Sequence, residues 1–86
     1  MINELKVSNK IYDILTNAIN YSCEFRDNNL CIVRFGTLVS ANLTYYVTIK
    51  HLDAIAEEFN DPNMTFLTGS YEIMLLVKIN NEEYYD

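Results

Sequence analysis

The sequence predicts an α+β domain: a single, mostly antiparallel sheet of four or five strands with two helices, in the order α-β-β-β-α-β-β. Three observations carry this. Tyr71, Ile73, Leu75, Val77 and Ile79 recur at every second position, the period of a strand. Two other stretches space their apolar residues three and four apart, the period of a helix. Finally, the chain has 86 residues, 50% of them hydrophobic, with only two Gly and one Pro. That is enough apolar material for one packed core and too little Gly and Pro for a loop-rich scaffold. Residues 1–86 therefore read as one domain, with 80–86 as a polar, acidic tail.

The first helix is expected over 9–20. Ser8 has a hydroxyl suited to an N-cap, and Ile11, Ile14, Leu15, Ala18 and Ile19 share one face. Tyr21, Cys23 and Phe25 then alternate with Ser22, Glu24 and Arg26, a strand over 21–26. Asp27-Asn28-Asn29 reads as a turn, because Asn and Asp tolerate left-handed backbone. A second strand follows over 30–35, and Gly36 marks its end or a bulge. Residues 37–42 read equally as strand or loop.

Leu43, Tyr45, Val47 and Ile49 alternate with Thr44, Tyr46 and Thr48, a third strand over 43–49. The second helix is expected over 51–60, with Leu52, Ile55, Ala56 and Phe59 on one stripe. Asp61-Pro62-Asn63 stops it, since Pro disfavours helical backbone at the residue before it. Strands over 64–68 and 71–79 flank Gly69-Ser70, a two-residue hairpin signal of the type II′ kind. The step across 43–68 also allows a parallel pair with a right-handed crossover. Leu75, Val77, Val47, Ile55 and Phe59 form the expected core. Met74 and Leu76 occupy the other face of the last strand. A strand apolar on both faces is either covered on both sides or presents a homodimer patch.

Charge divides the chain. Residues 1–50 carry the acids Glu4, Asp13, Glu24 and Asp27 against the bases Lys6, Lys10, Arg26, Arg34 and Lys50, a net of +1. Residues 51–86 carry Asp53, Glu57, Glu58, Asp61, Glu72, Glu82, Glu83 and Asp86 against Lys78 alone, a net of −7. Such a surface attracts basic partners and repels nucleic acid. Direct binding of nucleic acid would need clustered cations, and here they are scattered.

Few residues offer chemistry. His51 with Asp53, Glu57 and Glu58 is the one site-like group; the plainer reading is an acidic helix face beginning in a histidine. Cys23 and Cys31 stand too far apart in sequence for the tight Cys pair of a structural zinc site, and read as free thiols packed like small hydrophobes. Two isolated glycines build no phosphate-cradling loop. The expectation is a protein that is not an enzyme and holds no cofactor and no metal. Asn42-Leu43-Thr44 and Asn63-Met64-Thr65 match a glycosylation sequon. However, the N-terminus has no apolar leader and the longest apolar run, Ile73 to Val77, falls short of a membrane span, so a cytoplasmic location without membrane contact is expected.

In size, acidity, lack of catalytic apparatus and Asn/Ile/Tyr-rich usage, the chain resembles the small inhibitors that bacteriophages make against host defence or nucleic-acid enzymes, anti-CRISPR proteins among them. The resemblance is one of type, spans the whole chain, and carries over no residue. It implies action in the host cytoplasm on a basic protein surface, that of a nucleic-acid-binding enzyme or complex. The residues expected to meet that partner are Asp53, Glu57, Glu58, Asp61, Glu72, Glu82, Glu83, Tyr84 and Tyr85. The alternative is a small structural or regulatory subunit holding another protein through a Tyr- and Glu-rich surface, since Tyr adds contact area with a polar tip.

Overall fold

In a computed structural model of the chain, residues 1–15, 19–36, 39–40, 43–44, 49–69 and 72–86 are described. The fold is α+β. Helix α1 (Glu4–Ile14) leads into strands β1 (Ile19–Arg26) and β2 (Leu30–Gly36), then a small ribbon of β3 (Val39–Ser40) and β4 (Leu43–Thr44). Helix α2 (Ile49–Glu58) and strands β5 (Thr65–Thr68) and β6 (Glu72–Lys78) follow, and a 3-10 turn, Glu82–Tyr84, closes the chain. The main sheet has the order β1-β2-β6-β5, and every pairing in it is antiparallel.

Alternation sorts the central strands. Cys31, Val33 and Phe35 of β2 and Leu75 and Val77 of β6, with Ile79 just beyond it, have no exposed surface. Val7, Ile11 and Leu15 of α1 and Ile55 and Phe59 of α2 join them in one core. Both helices therefore cover the same sheet face. Four of the five expected core residues, Leu75, Val77, Ile55 and Phe59, are buried there. Val47 lies outside the described residues.

The structure moves several expected boundaries. α1 starts at Glu4, not 9, and its N-cap is Asn3, whose side chain accepts from the Lys6 amide at 3.1 Å. Ser8 is mid-helix. The apolar stripe runs Val7, Ile11, Leu15, one turn earlier than expected, and Ile19 already belongs to β1. The described residues of the expected third strand do not join the main sheet. Its first two residues pair with Val39–Ser40 in the separate ribbon, Ile49 is helical, and 45–48 lie outside the described residues. No parallel pair occurs among the described strands. The β5–β6 hairpin differs from the expected register: Thr68 pairs with Ile73 and the Gly69 amide donates to the Glu72 carbonyl at 2.7 Å, while residues 70–71 lie outside the described residues. Gly69 does not have the positive φ that a type II′ turn at 69–70 would require.

Two other turns follow from Asn chemistry. Asn28 and Asn29 have φ of 64° and 62°, the left-handed backbone expected between β1 and β2. Asn60, at φ 56°, ends α2. The Asn60 amide donates to the Glu57 carbonyl at 3.2 Å and the Asp61 amide to that of Ala56 at 2.9 Å, the paired bonds of a Schellman cap.

Leu75 is fully buried between the helices and the sheet, so truncation leaves a cavity. Leu75→Ala is expected to lower the unfolding free energy by about 2–5 kcal/mol, read by urea denaturation. A change within about 0.5 kcal/mol is the mark of a surface residue and would contradict this packing.

Candidate functional site

The acidic residues gather where α2 ends. A helix leaves its last carbonyls without intrahelical donors. Here two adjacent asparagines supply them. The Asn80 amide donates to the Phe59 carbonyl at 2.9 Å and its side chain to that of Asn60 at 3.2 Å. The Asn81 side chain donates to the Glu58 carbonyl at 2.8 Å, and its oxygen accepts from the Glu83 amide at 3.1 Å, which starts the 3-10 turn. Glu82 and Glu83 are thus fixed beside the end of α2.

Residues 80–86 are therefore not a free tail. Tyr84 is buried, its ring 5.0 Å from that of Phe59, and its hydroxyl donates to Glu58 Oε1. Tyr85 is half-buried and its hydroxyl donates to the Ile79 carbonyl at 2.5 Å. The Asn3 amide donates to the Tyr84 carbonyl at 2.8 Å and the Asp86 amide to the Met1 carbonyl at 2.9 Å, so the two ends of the chain lie side by side. Lys6 Nζ donates to the Glu83 carbonyl at 2.7 Å and lies 5.3 Å from the Tyr84 ring centre, a cation–π contact.

The nine residues expected to meet a partner separate accordingly. Asp53 and Glu57, four apart on α2, are exposed and border a shallow concavity of about 480 Å³ together with Ala56, Asn60 and Pro62. Glu82 and Glu83 are exposed on the 3-10 turn. Glu58 is half-buried and held by Tyr84. Asp61 is buried: its Oδ1 accepts from the Asn63 amide at 3.2 Å and its Oδ2 from the Lys78 amide at 2.8 Å. It ties the end of α2 to the end of β6, a structural role in place of the expected contact role. Glu72 lies on the far face of the sheet, 3.7 Å from Arg34, and does not belong to the group. What remains exposed is Asp53 and Glu57 along α2 and Glu82 and Glu83 on the turn fastened to its end, each pair bordering its own concavities.

The other candidate chemistry is dispersed. His51 is half-buried in the first turn of α2, while Asp53 and Glu57 are exposed. Among the described residues, no three His, Cys, Asp or Glu side chains converge to hold a metal ion, and no helix is long and apolar enough to cross a membrane. Cys23 and Cys31 are free thiols. The thiol hydrogen bond to Cys23, then burial, raises the Cys31 pKa well above its ordinary value and keeps it protonated, the less nucleophilic form. The chain matches no protein-family model, no curated protein and no solved structure.

Sequence reading found only the β6 half of the outward sheet face, Met74 and Leu76. Leu30 and Ile32 of β2 join Met74 and Leu76 of β6 there, all half-buried and none packed against the core. The signal was present: β2, like β6, is apolar at both parities.

Two predictions follow from the capped helix end. Asp61→Ala leaves the Lys78 amide without its partner, at a cost of about 1–3 kcal/mol, measurable by denaturation. Tyr84 gives a pH effect. Burial, then the hydrogen bond to Glu58, raises its phenol pKa above the ordinary value of about 10. The unfolded chain ionises near pH 10 while the folded one stays neutral. The contribution is full below pH 10 and is lost as pH rises beyond it. Tyr84→Phe is expected to be less stable at neutral pH and to lose less stability between pH 9 and 11 than the native chain. Parallel curves for the two would remove the linkage.

Proposed function

We propose that this chain is a non-enzymatic acidic binding protein that inhibits a nucleic-acid-processing enzyme by occupying its basic surface, acting in the cytoplasm of a host as a phage anti-defence protein. The observation that supports it is the exposed carboxylate group Asp53, Glu57, Glu82 and Glu83, set on α2 and on the turn fastened to its end. The only base of residues 51–86, Lys78, points from the opposite face of the sheet. Lys6 and Lys10 border Glu83 on its α1 side, and the exposed Lys50 stands three residues before Asp53 in the first turn of α2.

A fixed array of carboxylates presents negative charge in place of phosphates. Long-range attraction to a basic groove then raises the association rate, and salt screens it beyond about 8 Å at physiological strength. Rigid backing matters, because residues whose backbone is already held, by α2 and by the turn that Asn81 fastens, lose less freedom on binding. The subunit alternative draws less support, since Tyr84 and Tyr85, its expected anchors, spend their hydroxyls inside the fold.

The test is capture from the source cell's lysate, identification by mass spectrometry, and surface-plasmon kinetics with the purified partner. The expected partner is a nucleic-acid-binding enzyme that duplex DNA or RNA displaces from the chain. Asp53→Lys with Glu57→Lys should slow association about tenfold or more while changing dissociation less. A partner whose binding ignores both competing nucleic acid and the double reversal would overturn the proposal.

A further inference from the structure

The outward face of the sheet has a regular pattern set by the strand register. Arg26, Leu30 and Lys78 form one row across β1, β2 and β6. Glu24, Ile32, Leu76 and Thr65 form the next, and Ser22, Arg34, Met74 and Leu67 the third. Glu72 lies beyond Met74 at the end of β6. The centre is apolar and the margin charged. Both helices lie on the other side of the sheet, and Leu67 at the margin is 60% exposed.

We infer that this face is where a second copy of the chain docks, face to face, in a reversible two-fold dimer. Charge selects the occupant. The face carries Arg26, Arg34 and Lys78 against Glu24 and Glu72, a net of +1. The rest of the chain carries the other ten acids and three bases, a net of −7. The acid excess lies on the rest of the chain, so two copies meeting through this face bring together surfaces close to neutral.

The order of charges along β6 fixes the geometry. Its outward residues run Glu72, Met74, Leu76, Lys78: acid, two apolar, base. That order is complementary to its own reverse. A two-fold axis lying across the strands, between Met74 and Leu76, sets Glu72 of each copy against Lys78 of the other and Met74 against Leu76. Isologous contact of this kind closes at two chains. Lys78 joins no ion pair among the described residues, and Glu72 makes only the long 3.7 Å contact with Arg34. Arg34 is meanwhile held by Glu24 at 3.0 Å, so it meets the interface already paired.

Size sets the strength. Four strands about 4.8 Å apart and three rows about 6.8 Å apart give roughly 400 Å² per copy. The total of about 800 Å² is below the roughly 1,200–2,000 Å² of stable complexes. The dimer should therefore be weak and come apart on dilution. The inference is independent of the acidic surface and its target.

Sedimentation of the full chain from about 1 μM to about 1 mM tests it. The expected mass rises from 10.0 kDa toward twice that value. Leu76→Glu, checked by circular dichroism for an intact fold, should stay monomeric. Glu72→Lys and Lys78→Glu change exposed positions and keep the test valid even if Leu76→Glu fails to fold. Each alone should weaken the dimer about tenfold, since like charges then face each other twice. An equimolar mixture of the two should associate again, because each contact in the mixed dimer sets a lysine against a glutamate. A native chain monomeric at 1 mM, a mass growing beyond two chains, a mixture that does not recover, or a folded Leu76→Glu variant that still dimerises would each overturn the inference. The last would move the contact to the edge of β5, where Phe66 and Leu67 are exposed.

Discussion

The unsatisfied end of α2 organises much of this molecule. A helix terminus packed into a small domain must find donors for its last carbonyls, or lose about 1–3 kcal/mol for each one buried without a partner. Asn60 turns the chain in the left-handed region, and Asn80 and Asn81 reach back from beyond β6 to donate to the carbonyls of Glu58, Phe59 and Asn60. Once those bonds form, the chain after β6 has one place to go. Tyr84 drops onto Phe59 and meets Glu58, and its carbonyl accepts from Asn3 at the N-cap of α1. One helix end is thereby coupled to the start of the other. Asp61 adds the remaining tie, from the same helix end to the Lys78 amide.

This arrangement also separates the charges. Strand alternation sends Glu72, Met74, Leu76 and Lys78 to the outward side of the sheet, while α2 and the closing turn place Asp53, Glu57, Glu82 and Glu83 on the helical side. The sheet face is close to neutral and the helical side is strongly acidic. A surface with a shared sign of charge steers partners at a distance, whereas a neutral apolar face acts only on contact. The two surfaces therefore differ in range as well as in position.

The parts of the fold legible in the sequence are those decided by nearest neighbours. The alternation in β1, β2 and β6, the stripe on α2, and the left-handed turn at Asn28 and Asn29 are all local, and each was readable. α1 was misplaced by a turn because Ser8 is a good N-cap by type; only the buried Val7 shows that the stripe begins earlier, with Asn3 as the cap. The roles of Asp61 and Tyr84 rest on bonds to residues 17 and 26 positions away. In sequence, Asp61 precedes a proline and reads as a helix stop, and Glu82-Glu83-Tyr84-Tyr85-Asp86 reads as a solvated end. Nothing local distinguishes a solvated carboxylate from one that accepts two backbone amides, as Asp61 does. The same limit applied to the candidate surface: charge counting found the acids, but only the register of β6 shows that Glu72 lies on the other side of the sheet.

The opposition of the two faces bears on how they could work together. Two copies joined through the outward sheet face would carry their helical layers away from each other. Asp53, Glu57, Glu82 and Glu83 of both copies would then remain open, on opposite sides of a four-layer assembly. Such a dimer would not reach one flat target with both acidic surfaces, so it would gain no avidity on a single basic groove. It would instead bridge two target molecules, or two sites facing one another across a gap. Because the contact area limits the dimer to high local concentration, bridging would appear only after targets had gathered several copies. Monomeric capture and dimeric bridging would thus follow each other as concentration rises, each using a face that the other leaves free.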